Sequence, residues 1–130
     1  MRLGLATIVV REYDEAIEFF VGGLGFDLVE DRVDGAKRWV VVQPPGAQTG
    51  ILLARGEGKE QRSVIGRQTA GRVGFFLEVD DFAAVHQRMS RAGVRFVEDP
   101  RREPYGTVAV FEDLCGNRWD LIERAAVAAD

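Results

Sequence analysis

The sequence predicts an α+β domain in which one strand–helix–strand–strand–strand (βαβββ) unit is used twice. Three observations carry that prediction. First, apolar spacing passes from strand alternation to helical spacing and back in the same order in each half. Second, Gly25-Phe26-Asp27-Leu28-Val29-Glu30-Asp31 aligns with Gly93-Val94-Arg95-Phe96-Val97-Glu98-Asp99 at an offset of 68 residues, each segment following a helical stretch. Third, 130 residues with 46% hydrophobic and 29% charged side chains suit one globular domain.

Taken in order, Leu3 to Val10 (LGLATIVV) is apolar and β-branched and reads as a strand. Asp14 is the expected N-cap of a helix carrying Ala16, Ile17, Phe19 and Phe20, closed by Gly22, Gly23 and Gly25. Phe26 to Arg32 alternates as a half-buried strand, Asp34-Gly35 marks a turn, and Lys37 to Gln43 forms the next strand. Gly50 to Ala54 completes a first module spanning residues 1–54. Residues 55–71 read as an aperiodic polar connector. The second module, 72–123, opens with the strand Arg72 to Val79. Asp80-Asp81 then caps a helix from about Phe82 to Ala92, ended by Gly93. Val94 to Glu98 is a strand and Asp99 to Tyr105 a charged loop. Thr107 to Glu112 and Arg118 to Glu123 are strands joined by an Asp113–Asn117 turn. A tail, 124–130, is expected to fray. The helices match at an offset nearer 69, so one gap separates them from the strands that follow.

Composition narrows the functional classes. Net charge is −4 with no Lys/Arg cluster, a poor match to nucleic acid or an anionic membrane. The single cysteine, Cys115, excludes an intrachain disulfide and a thiolate metal site. No run of 18 apolar residues occurs and the first residues lack a secretory pattern, so a cytoplasmic protein is expected. Phosphate loops, nucleophile elbows and CxxC motifs are absent from the sequence. The sole histidine, His86, reads as a helix-side surface residue.

The doubled unit carries further motifs. These are Val9 to Phe20 (VVREYDEAIEFF) with Leu24-Gly25-Phe26, Phe76 to Phe82 (FLEVDDF) with Ala92-Gly93-Val94, and Phe111 to Glu123 (FEDLCGNRWDLIE). On these residues the chain resembles the glyoxalase/bleomycin resistance protein/extradiol dioxygenase (vicinal oxygen chelate) superfamily over nearly its whole length. The resemblance implies a cup-shaped mixed sheet built from both modules. It also implies four metal-ligand positions, and here they fall on Leu5, Leu52, Gly74 and Asp120, the last where the family usually has Glu. One ligand does not make a transition-metal site, which needs three or four. No metal and no cofactor are therefore expected.

If Leu5, Gly74 and Asp120 face the cup, strand alternation brings Thr7, Phe76, Glu78, Arg118 and Ile122 to the same side. The expected site is an apolar wall with few polar groups. Asp120 and Glu78 are the candidate acid–base pair. Leu5, Thr7, Trp39, Leu52, Gly74, Phe76, Tyr105 and Arg118 are the candidate ligand contacts, with Gly74 leaving room for a ligand or a neighbouring side chain. Three functions stay open: a metal-free binding module for a small hydrophobic or cationic molecule, as the resemblance suggests; a glyoxalase-like lyase or dioxygenase-like enzyme with an atypical or metal-free site; and a structural subunit. Exposed strand edges and the family's habit of pairing modules imply a homodimer.

Overall fold

The computed structural model describes residues 1–126. It divides into two compact units that meet in sequence at Gln68 and Thr69. The expected frayed tail falls largely on residues 127–130, outside the described residues. At its start, Arg124 still belongs to the last strand and the Ala125 N–H donates to the Tyr105 carbonyl at 2.8 Å.

The first unit holds β1 (Leu5–Val10), α1 (Tyr13–Ile17) continuing as a π-helical turn (Glu18–Gly23), β2 (Asp27–Asp34), β3 (Lys37–Gln43), β4 (Gly50–Arg55) and α2 (Gly58–Ser63). Its sheet runs β1-β4-β3-β2, with β1 parallel to β4 and the other pairs antiparallel. Alternation builds the core. Ile8 and Val10 of β1, Val40 and Val42 of β3, and Leu53 of β4 are fully buried, as are Ala16 and Phe20 of the helix. Two expectations fail here. Asp14 does not cap α1: Glu12 occupies the cap position without a side-chain bond, and Asp14 instead accepts from Arg38 Nη1 at 2.8 Å. The connector contains α2, where Gln61 Oε1 reaches back to accept from the Glu57 N–H at 2.9 Å and supplies a local helix start.

The second unit repeats the order with β5 (Val73–Glu78), α3 (Phe82–Arg91), β6 (Arg95–Phe96), β7 (Arg101–Glu103), β8 (Gly106–Glu112) and β9 (Arg118–Arg124). Its sheet runs β5-β9-β8-β6, and β7 also pairs with β8. Asp81 caps α3, accepting from the Ala84 N–H at 3.1 Å. The strand expected over Val94–Glu98 is shortened to β6, and β7 lies within the expected charged loop, Asp99–Tyr105. Glu98 spans the break: its Oε1 accepts from the Val110 N–H at 3.0 Å, a bond a continuous strand would have made with backbone.

The one-residue gap in the repeat has a structural cause. Gly25 and Gly93 both close their helices in the left-handed region, at φ 80° and 88°. The bond over the closing turn runs Val94 N–H to Met89 in the second unit but Phe26 N–H to Phe20 in the first, one residue wider. The extra residue is absorbed by the π-helical turn. A bulge between Val73 and Phe75 in β5 restores the count, since Leu5 pairs with Gly50 as Val73 does with Arg118, and Thr7 with Leu52 as Phe76 does with Asp120.

Candidate functional site

Phe76, Asp120 and Val110 form one cross-strand row in the second unit. Phe76 is 62% exposed and Asp120 half-buried. Asp120 Oδ1 is buried with no hydrogen-bond partner. Burial pushes the Asp120 carboxyl above its ordinary value, Arg101 pulls it back, and Glu98 pushes it further up. Arg101 is itself committed: its Nε faces Glu98 at 3.1 Å, and its Nη1 donates to Glu103 at 2.7 Å and to the Tyr105 hydroxyl at 3.4 Å. That bonding holds the Arg101 guanidinium firmly charged. The row thus presents an exposed ring beside an acceptor that the chain does not satisfy. Glu98 and Arg101 were not singled out in the sequence, because only the broken strand brings them within electrostatic reach of Asp120.

The other expected residues divide. Glu78 sits at the surface in an ion pair with Arg124 at 2.5 Å, so its carboxylate is already matched. Arg118 is exposed, and the cation that bears on Asp120 is Arg101 instead. Gly74 does not open a slot: a Cβ there would meet Thr69 Cγ2 at 2.6 Å, so the neighbouring side chain holds the space. His86 is not a plain surface residue. It is half-buried, with its ring 4.2 Å from Phe96 and 5.5 Å from Phe82.

In the first unit Thr7, Leu52 and Val41 form the corresponding row. Thr7 is exposed, Leu52 half-buried and Val41 buried. Leu5 is 40% exposed and lies against Gly50, where a Cβ would come within 3.2 Å of its Cδ2. Trp39 and Leu52 line a cavity of about 570 Å³ at the end of this sheet.

The residues at the four expected ligand positions do not fit a divalent metal. Leu5 and Leu52 offer no donor, Gly74 has no side chain, and Asp120 alone supplies oxygen. Among the described residues no group of three or more His, Cys, Asp or Glu side chains is placed to hold a metal ion.

Two βαβββ units, each a mixed sheet with its helix packed into the core, define a paired-module α+β protein. The chain belongs to the Glyoxalase/Bleomycin resistance protein/Dioxygenase superfamily, whose model matches residues 2–121. It is 52% identical over 120 residues to an uncharacterized protein of Shewanella frigidimarina (strain NCIMB 400), covering 90% of this chain and 89% of that one. Among solved structures it is similar to UcmS2, with 32% identity, a TM-score of 0.82, and 94% and 97% of the two chains covered. It is also similar to TnmS3, an antibiotic binding protein from Streptomyces sp. CB03234, with 28% identity, a TM-score of 0.78, and 96% and 97% covered.

Proposed function

We propose that this chain is a binding protein that holds a small organic molecule without the divalent metal of its catalytic relatives. The observation that carries the reading is Asp120 Oδ1, a buried acceptor with no partner, beside the exposed ring of Phe76. An unmet buried acceptor is costly, and a ligand N–H or O–H would satisfy it while the ring covers apolar surface. The similarity to an antibiotic binding protein supports the same reading. The ligand class is therefore an aromatic molecule bearing a hydrogen-bond donor. The metal-free enzyme reading draws on one specific observation, the upward shift of Asp120, which suits a general acid. Glu78, its expected companion, is spent on Arg124.

The test is thermal unfolding against a panel of aromatic amines and phenols. A ligand at a hundredfold excess over its dissociation constant stabilises by about 2.7 kcal/mol. That gain should shrink in Asp120→Leu and Phe76→Ala. Shifts that survive both substitutions, or no shift with any compound, would remove the reading. We further propose a cytoplasmic homodimer. No helix among the described residues is long and apolar enough to cross a membrane.

A further inference from the structure

The cavity at the end of the first sheet lies wholly within residues 13–61 and shares no residue with the Asp120 row. It carries Leu52, one of the four expected ligand positions, and Trp39, so it rests on the small-molecule reading above and extends it to a second place. At about 570 Å³ it falls within the size range of small-molecule sites. Its apolar wall is Trp39, 36% exposed, with Leu52 and Ala54 beside it.

Two arginines in this cavity each stand over an aromatic ring, but they are held very differently. Arg38 lies 5.5 Å from the Tyr13 ring and is fixed by three hydrogen bonds, two to the Asp31 carboxylate and one to Asp14, all at 2.8 Å. Arg32 lies 6.0 Å from the Trp39 ring and is held only by a 4.0 Å contact to Glu30, with its side chain 70% exposed. A planar ring needs about 3.5 Å on each face, so roughly 7 Å between an indole and a guanidinium that sandwich it. Arg32 has to lift by about 1 Å to admit one, against a weak exposed ion pair. Lys37 lies two residues before Trp39 on β3, on the same face by alternation, and makes no ion pair among the described residues.

We infer that this notch binds a planar aromatic acid, its ring sandwiched between Trp39 and Arg32 and its anionic group beside Lys37. Arg32 already covers Trp39 as a planar cation, and a ring sliding between them keeps the stacking of both. The opposing charges are Asp34, across the ladder from Lys37, Glu57, and Glu30 in contact with Arg32. They restrict the ligand to one anionic group near Lys37.

The test is calorimetric titration of the whole chain with 2-naphthoate, 2-naphthylmethanol and 2-naphthylmethylammonium. Naphthoate should bind about tenfold tighter than the ammonium, as expected for a stacked and charge-matched ring. Arg32→Gln should weaken naphthoate about fivefold and Lys37→Gln about threefold. Asp34→Asn should tighten it. Trp39→Ala should remove it, and Arg91→Gln, the same charge change in the other unit, should leave it alone. All these positions are surface-accessible, so an unchanged unfolding midpoint certifies each variant; should Trp39→Ala misfold, the Arg32→Gln and Lys37→Gln results decide. The inference is overturned if naphthoate fails to bind, if the ammonium binds as well, or if the Arg32→Gln/Lys37→Gln double variant binds naphthoate like the parent. Naphthoate failing while phenols still stabilise through Asp120 would remove this site and leave the first.

Discussion

Asp113 accepts five hydrogen bonds and Asp120 Oδ1 accepts none, although only seven residues separate them. Asp113 Oδ1 takes the N–H groups of Cys115, Gly116 and Asn117 at 3.0–3.1 Å, and its Oδ2 takes Asn117 Nδ2 and Trp119 Nε1, both at 3.1 Å. It is 5% exposed, so its carboxylate is held by these donors rather than by water. In the sequence Asp113 reads only as a turn residue, because the bond to Trp119 is invisible until the hairpin closes. Asp113→Ala should cost at least about 3 kcal/mol in urea unfolding, from several buried donors left unpaired; a loss under about 1 kcal/mol would contradict this account. Asp120 was legible as a site candidate through the family's ligand position, but its lack of a partner was not. Its native carboxyl titrates above the ordinary 3.8. Between those values the native state binds more protons than the unfolded chain, so this group's contribution falls as pH rises. Asp120→Asn should therefore gain stability relative to the parent on going from pH 3 to pH 7. The sign of the gain follows from the upward shift, and solvent screening at a half-buried site keeps it small. Denaturant unfolding at the two pH values measures it, and a flat difference would mean that Asp120 titrates alike in both states.

Elements show where local pattern and tertiary structure part. The strands and α3 follow from alternation and the Asp81 cap, which are local signals. The breaks do not: the π-helical turn, the β5 bulge and the β6/β7 interruption each appear in the sequence only as a one-residue misfit or a charged stretch. The connector hides a further device. Gln68 Oε1 accepts from the Val9 N–H at 2.6 Å, and its Nε2 donates to the Thr7 carbonyl at 2.9 Å. Its amide thus acts as one residue of an added strand along the free edge of β1. The sequence offers no cue for this, since the two partners lie about 60 residues away. Gln68→Ala should lower stability by about 1–2 kcal/mol and speed hydrogen exchange at Val9. Gln68→Glu should do no better, because it keeps the acceptor for Val9 but sets a carboxylate against the Thr7 carbonyl. Val9 exchange unchanged in both variants would show that the clasp carries no weight.

Across the whole molecule, the repeat made the architecture legible, whereas function depends on which side chains fill the repeated positions. The donor set at Leu5, Leu52, Gly74 and Asp120 leads to an expectation of no stoichiometric transition metal; elemental analysis of protein prepared without chelator, finding about one metal ion per chain, would reverse it. Oligomeric state follows from surface rather than from the site. Every residue of β2 is exposed, including Leu28, Val29 and Val33, and β2 is a free sheet edge. Phe76 is 62% exposed in the second unit as well. Unpaired edges with apolar side chains are a liability that proteins cover, most often in a two-fold pair. The charged residues Asp27, Glu30, Asp31, Arg32 and Asp34 argue against open-ended edge pairing through β2 itself. They favour a closed dimer that covers the apolar side chains without adding strands at that edge. Sedimentation equilibrium at micromolar concentration should give twice the 14.4 kDa chain mass. Val33→Lys, which puts charge on a 75% exposed valine, and Phe76→Lys distinguish which surface is covered. The one inside the interface should shift the mass toward monomer, and the other should leave it unchanged. A parent mass of 14.4 kDa throughout that range would mean these surfaces stay in water.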